Sequence, residues 1–361
     1  MALVSVRRVA TYDPEALYRS VCQHFDALHV ADELTPNTRV LLKPNLLAGR
    51  DPAFAVTTHP ALLRAIARRL RELGVTHITL ADSPGGVYTA ASLRRVYAAC
   101  KLSSLADVLT LNEDNAYGEK NGFSIIRPVL EADFIINCPK LKTHGLTVMS
   151  AAVKNMFGSV PGLKKPEMHY LKPTVDTFAA TVLDICETVK PHLTIMDAVD
   201  CMEGNGPGNG TVRAMGYTLA SRDVYAIDEA GVQLMGIRPI LAPLIRLARK
   251  RGLCDPAAIE TAGDTLVPAN PPFTLPDTII TREHSLTPNG IFRLLFGRKR
   301  TYPLMVPEKC IGCGRCAESC PRHLIDIIDR KAVIARKGCI SCFCCQEMCP
   351  VNAVDTARKQ P

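Results

Sequence analysis

Short apolar runs alternate along this chain with longer stretches in which apolar positions recur every three or four residues. Leu3-Val4-Ser5-Val6 alternates as a strand does, and Asp13-Pro14 opens a helical pattern reaching about Leu28. Val40-Leu41-Leu42 is the kind of run that a strand buried on both faces shows. Thr58 is placed to cap a helix from His59 to Leu73, whose apolar positions 62, 63, 66, 70 and 73 share one face and which Gly74 ends. Residues 78–80 read as the next strand, followed by a helix through Tyr97. Residues 134–136, 193–195 and 217–219 are further strands, the last followed by a helix to Met235. This alternation predicts an α/β domain over residues 1–265, a largely parallel sheet with helices on both faces.

Polar, Gly or Pro residues follow each apolar run. Lys43-Pro44-Asn45 follows the second, and Asp82-Ser83-Pro84-Gly85-Gly86 the third. Lys140, Lys142 and His144 follow residues 134–136. Asp197 and a loop over residues 202–210 with Gly204, Gly206 and Gly208 follow residues 193–195. In open α/β sheets ligands bind at the carboxyl ends of the strands, so these motifs are expected to share one edge and one pocket. Lys43, Lys140, Lys142 and Lys154 would attract an anionic small molecule. Asn45, Gly85, Gly86 and the glycine loop would bring close donors. His144 is the candidate general acid, with Asp82 and Asp197 to orient it. Taken singly, each motif has a plainer reading: residues 82–86 as a turn, the lysines as solvated, and His59, His144 and His169 as structural. No P-loop and no complete G-x-G-x-x-G occurs, which disfavours nucleotide hydrolysis.

Composition bounds the picture. The 361 residues suit two domains, and 47% hydrophobic with 22% charged residues suits a globular protein. No uncharged run approaches the roughly 18 residues of an integral membrane segment. The opening residues lack a signal-like apolar stretch, so a cytoplasmic protein is expected. The net charge of +8 is mild, and without Trp and with 5% aromatics the chain offers nucleic acid little to stack on.

Cysteine placement says most. Of 15 cysteines, six are scattered (22, 100, 138, 186, 201 and 254), and the rest fall between Cys310 and Cys349. Cys310, Cys313, Cys316 and Cys320-Pro321 are spaced C-x2-C-x2-C-x3-C-P, and the pattern returns 29 residues later as Cys339, Cys342, Cys345 and Cys349-Pro350. In such runs three thiolates hold one cluster and the fourth turns to the other. Cys310, Cys313, Cys316 and Cys349 are therefore expected to hold one 4Fe–4S cluster, and Cys339, Cys342, Cys345 and Cys320 the second. Cys344 is left over as a non-ligand, and zinc is disfavoured by the paired motif. Residues 324–328 and 332–335 suggest a short hairpin between the motifs. The segment resembles a bacterial-type two-cluster ferredoxin, a small α+β iron–sulfur domain assigned to residues 305–361. Residues 266–304, rich in proline, read as a connector. Within it, residues 291–296 followed by Arg298-Lys299-Arg300 form a short basic–apolar stretch able to meet a membrane surface or a partner.

A second resemblance covers roughly residues 1–280. Lys43-Pro44-Asn45, Thr57-Thr58-His59-Pro60, Asp82-Ser83-Pro84-Gly85 and the run from Ala132 to His144 are similar to the domain of unknown function 362 family. So are Lys154-Asn155-Met156-Phe157-Gly158, Val160-Pro161-Gly162, Met202 to Pro207, and Ala220-Ser221 with Asp223. Such domains are often fused to a two-cluster ferredoxin module, which the resemblance therefore implies. The leading expectation is an oxidoreductase passing single electrons through two 4Fe–4S clusters to the anionic ligand, with a redox partner protein as donor or acceptor. The sequence names no flavin or other organic cofactor. The alternatives are a non-enzymatic electron carrier with a docking or ligand-sensing domain, and a metal or cofactor maturation factor.

Overall fold

Consecutive residues of each central strand face opposite ways, and both sides of the sheet are apolar. Val40, Leu42, Phe134, Ile136 and Ile195 enter one core, while Leu41, Ile135, Met196 and Leu219 enter the other. A sheet covered on both faces follows from this pattern. The computed structural model describes residues 1–85, 89–162, 164–172, 174–279 and 301–357. Gly86 and the basic–apolar stretch at residues 291–300 lie outside the described residues.

In chain order the elements are β1 (Ala2–Arg8), α1 (Pro14–Ala27), β2 (Arg39–Pro44), α2 (Pro60–Glu72), β3 (His77–Leu80), α3 (Ala90–Ala99) and β4 (Thr110–Leu111). A hairpin, β5 (Tyr117–Lys120) and β6 (Phe123–Ile126), then leads through α4 (Arg127–Glu131) to β7 (Phe134–Cys138). There follow β8 (Lys140–His144), β9 (Val148–Ser150), α5 (Ala152–Asn155), α6 (Lys164–Leu171) and α7 (Val175–Val189). Last come β10 (Leu193–Glu203), β11 (Thr211–Ser221), α8 (Val224–Leu234), α9 (Pro243–Lys250) and β12 (Ile259–Gly263). They build a ten-stranded sheet of order β12-β1-β11-β10-β7-β2-β3-β4, with β8 beside β10 and β9 beside β8. The run from β10 to β4 is parallel, as are β8 on β10 and β1 on β12. β11 is antiparallel to both its neighbours, and β8 and β9 form a hairpin. Residues of α1, α2 and α3 fill one core and those of α7, α8 and α9 the other.

The structure departs from the sequence reading at three places that matter for the site. First, His59 rather than Thr58 caps α2, its Nδ1 accepting from the Ala61 amide at 3.2 Å. Thr58 is buried, donating to the Cys138 carbonyl at 2.6 Å and accepting from the Asn45 amide at 2.9 Å, so its hydroxyl ties β7 to the loop after β2. Second, residues 140–144 are themselves a strand, with Lys140, Lys142 and His144 on one face and Leu141 and Thr143 on the other. Third, β10 and β11 each run for 11 residues, so Asp197 lies within a strand and residues 204–210 form the turn between the two.

The cysteine-rich segment folds from β13 (Tyr302–Met305), α10 (Arg315–Glu318), β14 (Ile325–Ile328), β15 (Lys331–Ile334), α11 (Cys344–Glu347) and β16 (Val354–Ala357). β13 pairs with β16, and β14 with β15 as the expected hairpin. Ahead of it, Phe273 and Ile279 are buried in the α/β core, so the start of the expected connector is packed by its apolar residues. The segment also touches the α/β body. Arg50 Nη2 donates to the Cys349 carbonyl at 2.6 Å and to Asn352 Oδ1 at 2.8 Å. No helix among the described residues is long and apolar enough to cross a membrane.

His24 of α1 is fully buried between Ser5 Oγ at 2.9 Å and Thr218 Oγ1 at 3.0 Å. Burial, aided by the Arg7 charge, pushes its imidazole down to about 3. The unfolded chain binds this proton near the ordinary value of about 6.5, so the stabilisation is complete above that pH and is lost as pH falls toward 3. Unfolding free energy should therefore drop by on the order of 2 kcal/mol more in wild type than in His24→Gln between pH 7 and 5. Parallel urea titrations at the two pH values check this; equal slopes contradict it.

Candidate functional site at the carboxyl edge of the sheet

The site is a set of lysines carried inward by strand ends. Lys43, the penultimate residue of β2, is fully buried, and its Nζ meets Asp82 Oδ1 at 2.8 Å just past β3. The second Asp82 oxygen accepts from the Leu46 amide at 3.0 Å. This pair fits only because residue 158 is glycine: a Cβ there would lie 2.2 Å from Asp82 Oδ1 and 2.5 Å from Lys43 Nζ.

Lys142, fully buried in β8, has no carboxylate partner among the described residues. Its Nζ donates to Asn45 Oδ1 at 2.8 Å and to the Val56 carbonyl. An amide ladder holds Asn45 in place: its Nδ2 donates to Asn155 Oδ1 at 3.0 Å, and Asn155 Nδ2 donates to Asn137 Oδ1 at 2.7 Å. Burial pushes the Lys142 ammonium down to about 7. Lys154 projects from α5, a helix whose first amides, Ala152 and Val153, donate to Asp228 at 2.6 and 3.1 Å. Its Nζ lies 4.7 Å from the Phe157 ring and 5.6 Å from that of Phe178, and burial lowers its affinity for the proton. Lys165 of α6 donates to the Ser83 carbonyl, and burial pushes it down to about 7.

The cysteine segment closes the site. Glu347 of α11 brings Oε1 to 3.3 Å from His144 Nε2. His144 Nδ1 accepts from the Leu146 amide at 3.0 Å, so by its hydrogen bonding Nε2 carries the proton and donates to Glu347. Burial raises the Glu347 carboxyl even against the pull of Lys154, Lys142 and Lys165. Between the two parts lies a cavity of about 90 Å³, lined by His144, Lys154 and Lys165 on one side and by Cys344, Glu347 and Met348 on the other. Gly85 admits Met348, whose Sδ would lie 2.7 Å from a Cβ at that position. A larger open groove of about 1090 Å³ lies at the amino ends of the parallel strands, away from these groups.

The expected site residues divide in two. Asp82, Asn45, Gly85, His144 and Lys154 line this cavity, while Lys43 and Lys142 stand behind Asp82 and Asn45. Lys140 and Asp197 do not line it; they form their own buried pair at 2.9 Å, shared with Tyr12 OH at 2.7 and 2.9 Å. Tyr12 stacks on His59 at 3.6 Å, and burial with the Asp197 charge pushes its phenol far above the ordinary range. The glycine loop is not a free amide cradle either: the Gly204 amide donates to Thr274 O and that of Gly206 to Gly204 O, both at 2.8 Å. Gly208 packs near the Glu347 carbonyl.

Among the cysteines, amides donate to four sulfurs: Ala332 to Cys310, Leu324 to Cys320, Ser341 to Cys339 and Ala353 to Cys349, at 3.1–3.4 Å. Cys316 lies in electrostatic range of Cys313 and Cys349, and Cys339 in range of Cys342 and Cys320. Cys344 is buried and turned to the cavity.

Sequence reasoning missed Tyr12, Asn155, Lys165 and Glu347. A signal existed for the last, an acidic residue between two cysteines of a tight motif. Asn155 lies in the Lys154-to-Gly158 motif but was given no role there, and Tyr12 and Lys165 carry no local pattern that marks them.

Gly158→Ala should disrupt the Lys43–Asp82 pair and destabilise the protein by about 3 kcal/mol, the cost of breaking a buried pair. The double change Lys43→Met with Asp82→Leu should cost less, because no charge is left alone. Urea midpoints of the three proteins test the order; an unaltered Gly158→Ala midpoint contradicts the packing.

Residues 40–233 match the family described as a domain of unknown function (DUF362), and residues 309–353 match the 4Fe-4S dicluster domain. The Thylakoid-associated protein sll1697 of Synechocystis sp. is 30% identical over 263 residues, covering 71% of this chain and 81% of that protein. Among solved structures, the lactate racemase apoprotein from Thermoanaerobacterium thermosaccharolyticum is similar with a TM-score of 0.38 at 10% identity, over 61% of this chain and 54% of that one. A Thermotoga maritima protein solved by structural genomics is similar with a TM-score of 0.32 at 13% identity, over 55% and 53%. The chain spans about half the length of these solved structures. It belongs to the DUF362 family and carries a 4Fe-4S dicluster domain after the family region.

Proposed function

We propose that this protein is an iron–sulfur oxidoreductase whose cavity, between the strand ends and the cysteine segment, holds an anionic small molecule. The observation that carries the reading is the lining itself, cationic groups of the α/β domain on one side and the cysteine segment on the other. The donor set fits two 4Fe–4S clusters, one on Cys310, Cys313, Cys316 and Cys349 and one on Cys339, Cys342, Cys345 and Cys320. When bound, the clusters supply one-electron transfer. The protein's own groups do the rest. Lys154 and Lys165 bind the anion, with Lys142 acting from behind Asn45. Met348, packed on Gly85, keeps water out. His144 holds a proton at Nε2, with Glu347 as its acceptor. Cys313 is exposed beside exposed Ile311, where a redox partner protein reaches the first cysteine set.

One observation favours the carrier reading: Lys43 and Lys140 are each neutralised by an internal aspartate. A ligand that changes cluster oxidation separates the two.

Protein purified without oxygen should hold about eight irons, four for each of two clusters. Cys313→Ala should lose about half of that iron, whereas Cys344→Ala should keep it. A small-molecule fraction of cell extract should reoxidise the reduced protein, and Lys154→Ala should not respond. Stoichiometric zinc with little iron contradicts the cluster assignment; a wild type unresponsive to any fraction favours the carrier.

A further inference from the structure

The charges around the cavity can be paired off one by one. Lys43 has Asp82 at 2.8 Å and Lys140 has Asp197 at 2.9 Å, so both are neutralised where they stand. Three lysines are left. Lys142 has the neutral oxygens of Asn45 and Val56, Lys165 the Ser83 carbonyl, and Lys154 the faces of Phe157 and Phe178. Among the described residues on the cavity wall, the one carboxylate not already paired with a lysine is Glu347, across from Lys154 and Lys165. His144 donates to that same carboxylate, and burial holds His169, on the cavity wall, neutral at about 3. Counting these side chains alone, three ammonium groups against one carboxylate leave an excess of two positive charges around the cavity.

Buried charge without a counter-charge does not persist. That cost is felt at Lys142 and Lys165, whose ammonium groups burial pushes down to about 7. A ligand bearing two negative charges relieves it without proton loss. The space is small: at the roughly 10–15 Å³ that one water needs, about 90 Å³ holds on the order of six such bodies. That suits an oxyanion or a short dicarboxylate.

We propose that the cavity selects a compact dianion over a monoanion, its two charges shared among Lys142, Lys154 and Lys165. This rests on the reading of the cavity as the ligand site and names the class of ligand it takes. Lys154 and Lys165 line the space and meet the anion, while Lys142 acts through Asn45, the wall residue it holds.

The test uses the full-length, anaerobically purified protein and two tetrahedral probes, sulfate with two charges and perchlorate with one, titrated calorimetrically at constant ionic strength. Sulfate should bind at least tenfold more tightly than perchlorate. Lys165→Gln and, separately, Lys154→Met should each weaken sulfate at least tenfold, narrow the gap to perchlorate and leave the iron content unchanged. Using both variants guards against one that misfolds. Equal affinity for the two probes, no sulfate binding, or sulfate affinity untouched in both variants overturns the proposal. Redox behaviour is read separately. Selective sulfate binding with no effect on the clusters keeps the dianion site and removes the oxidoreductase reading. Clusters that respond to an anion without charge selectivity do the reverse.

Discussion

Burying a lysine ammonium away from water is the constraint around which the working end of this molecule is built. Desolvation of a charge costs several kcal/mol unless something answers it. Each inward lysine is answered differently: Lys43 and Lys140 by aspartates, Lys142 by amide and backbone oxygens, Lys154 by aromatic faces, Lys165 by a carbonyl. The polar scaffold then follows. Asn137, Asn155 and Asn45 form a ladder because Lys142 needs an oriented oxygen, and residue 158 is glycine because the Lys43–Asp82 pair leaves no room for a Cβ.

The same constraint explains how the cysteine segment meets the α/β body. Glu347 is the one acidic side chain that the cysteine motifs offer to the cationic cavity, and it arrives between Cys345 and Cys349. Arg50 fixes the other side of the contact through the Cys349 carbonyl and Asn352. A residue two positions from a cysteine thus touches the histidine of the other domain. Charge at the cavity and charge at the cysteine sets are placed within electrostatic reach.

Much of the fold was legible because apolar runs report burial directly. β2, β3 and β7 announced themselves, and the cysteine spacing announced the dicluster domain. β8 was hidden, because Lys140, Lys142 and His144 look like a polar loop until each finds a buried partner. Its period of two, with Leu141 and Thr143 between, was the available clue. The convergence of Lys43, Asp82, Lys142 and His144 followed from strand ends sharing an edge. Lys140 and Asp197 broke the rule, because β10 runs on past Asp197 and takes that pair away from the cavity wall. Lys165 and Tyr12 owe their places to contacts far apart in sequence, which no local pattern carries.

The central claim is that the anion site and the iron–sulfur sites form one electrostatic unit, with Cys344 and Met348 on the cavity wall marking the side of the Cys339 set. An EPR-monitored redox titration of the full-length protein, with and without saturating sulfate, tests this most directly. Negative charge in the cavity disfavours adding an electron nearby, so the account predicts that sulfate lowers the reduction potential of one cluster, the one lost on Cys339→Ala, and barely moves the other. Potentials indifferent to sulfate, or two clusters shifted equally, would contradict it.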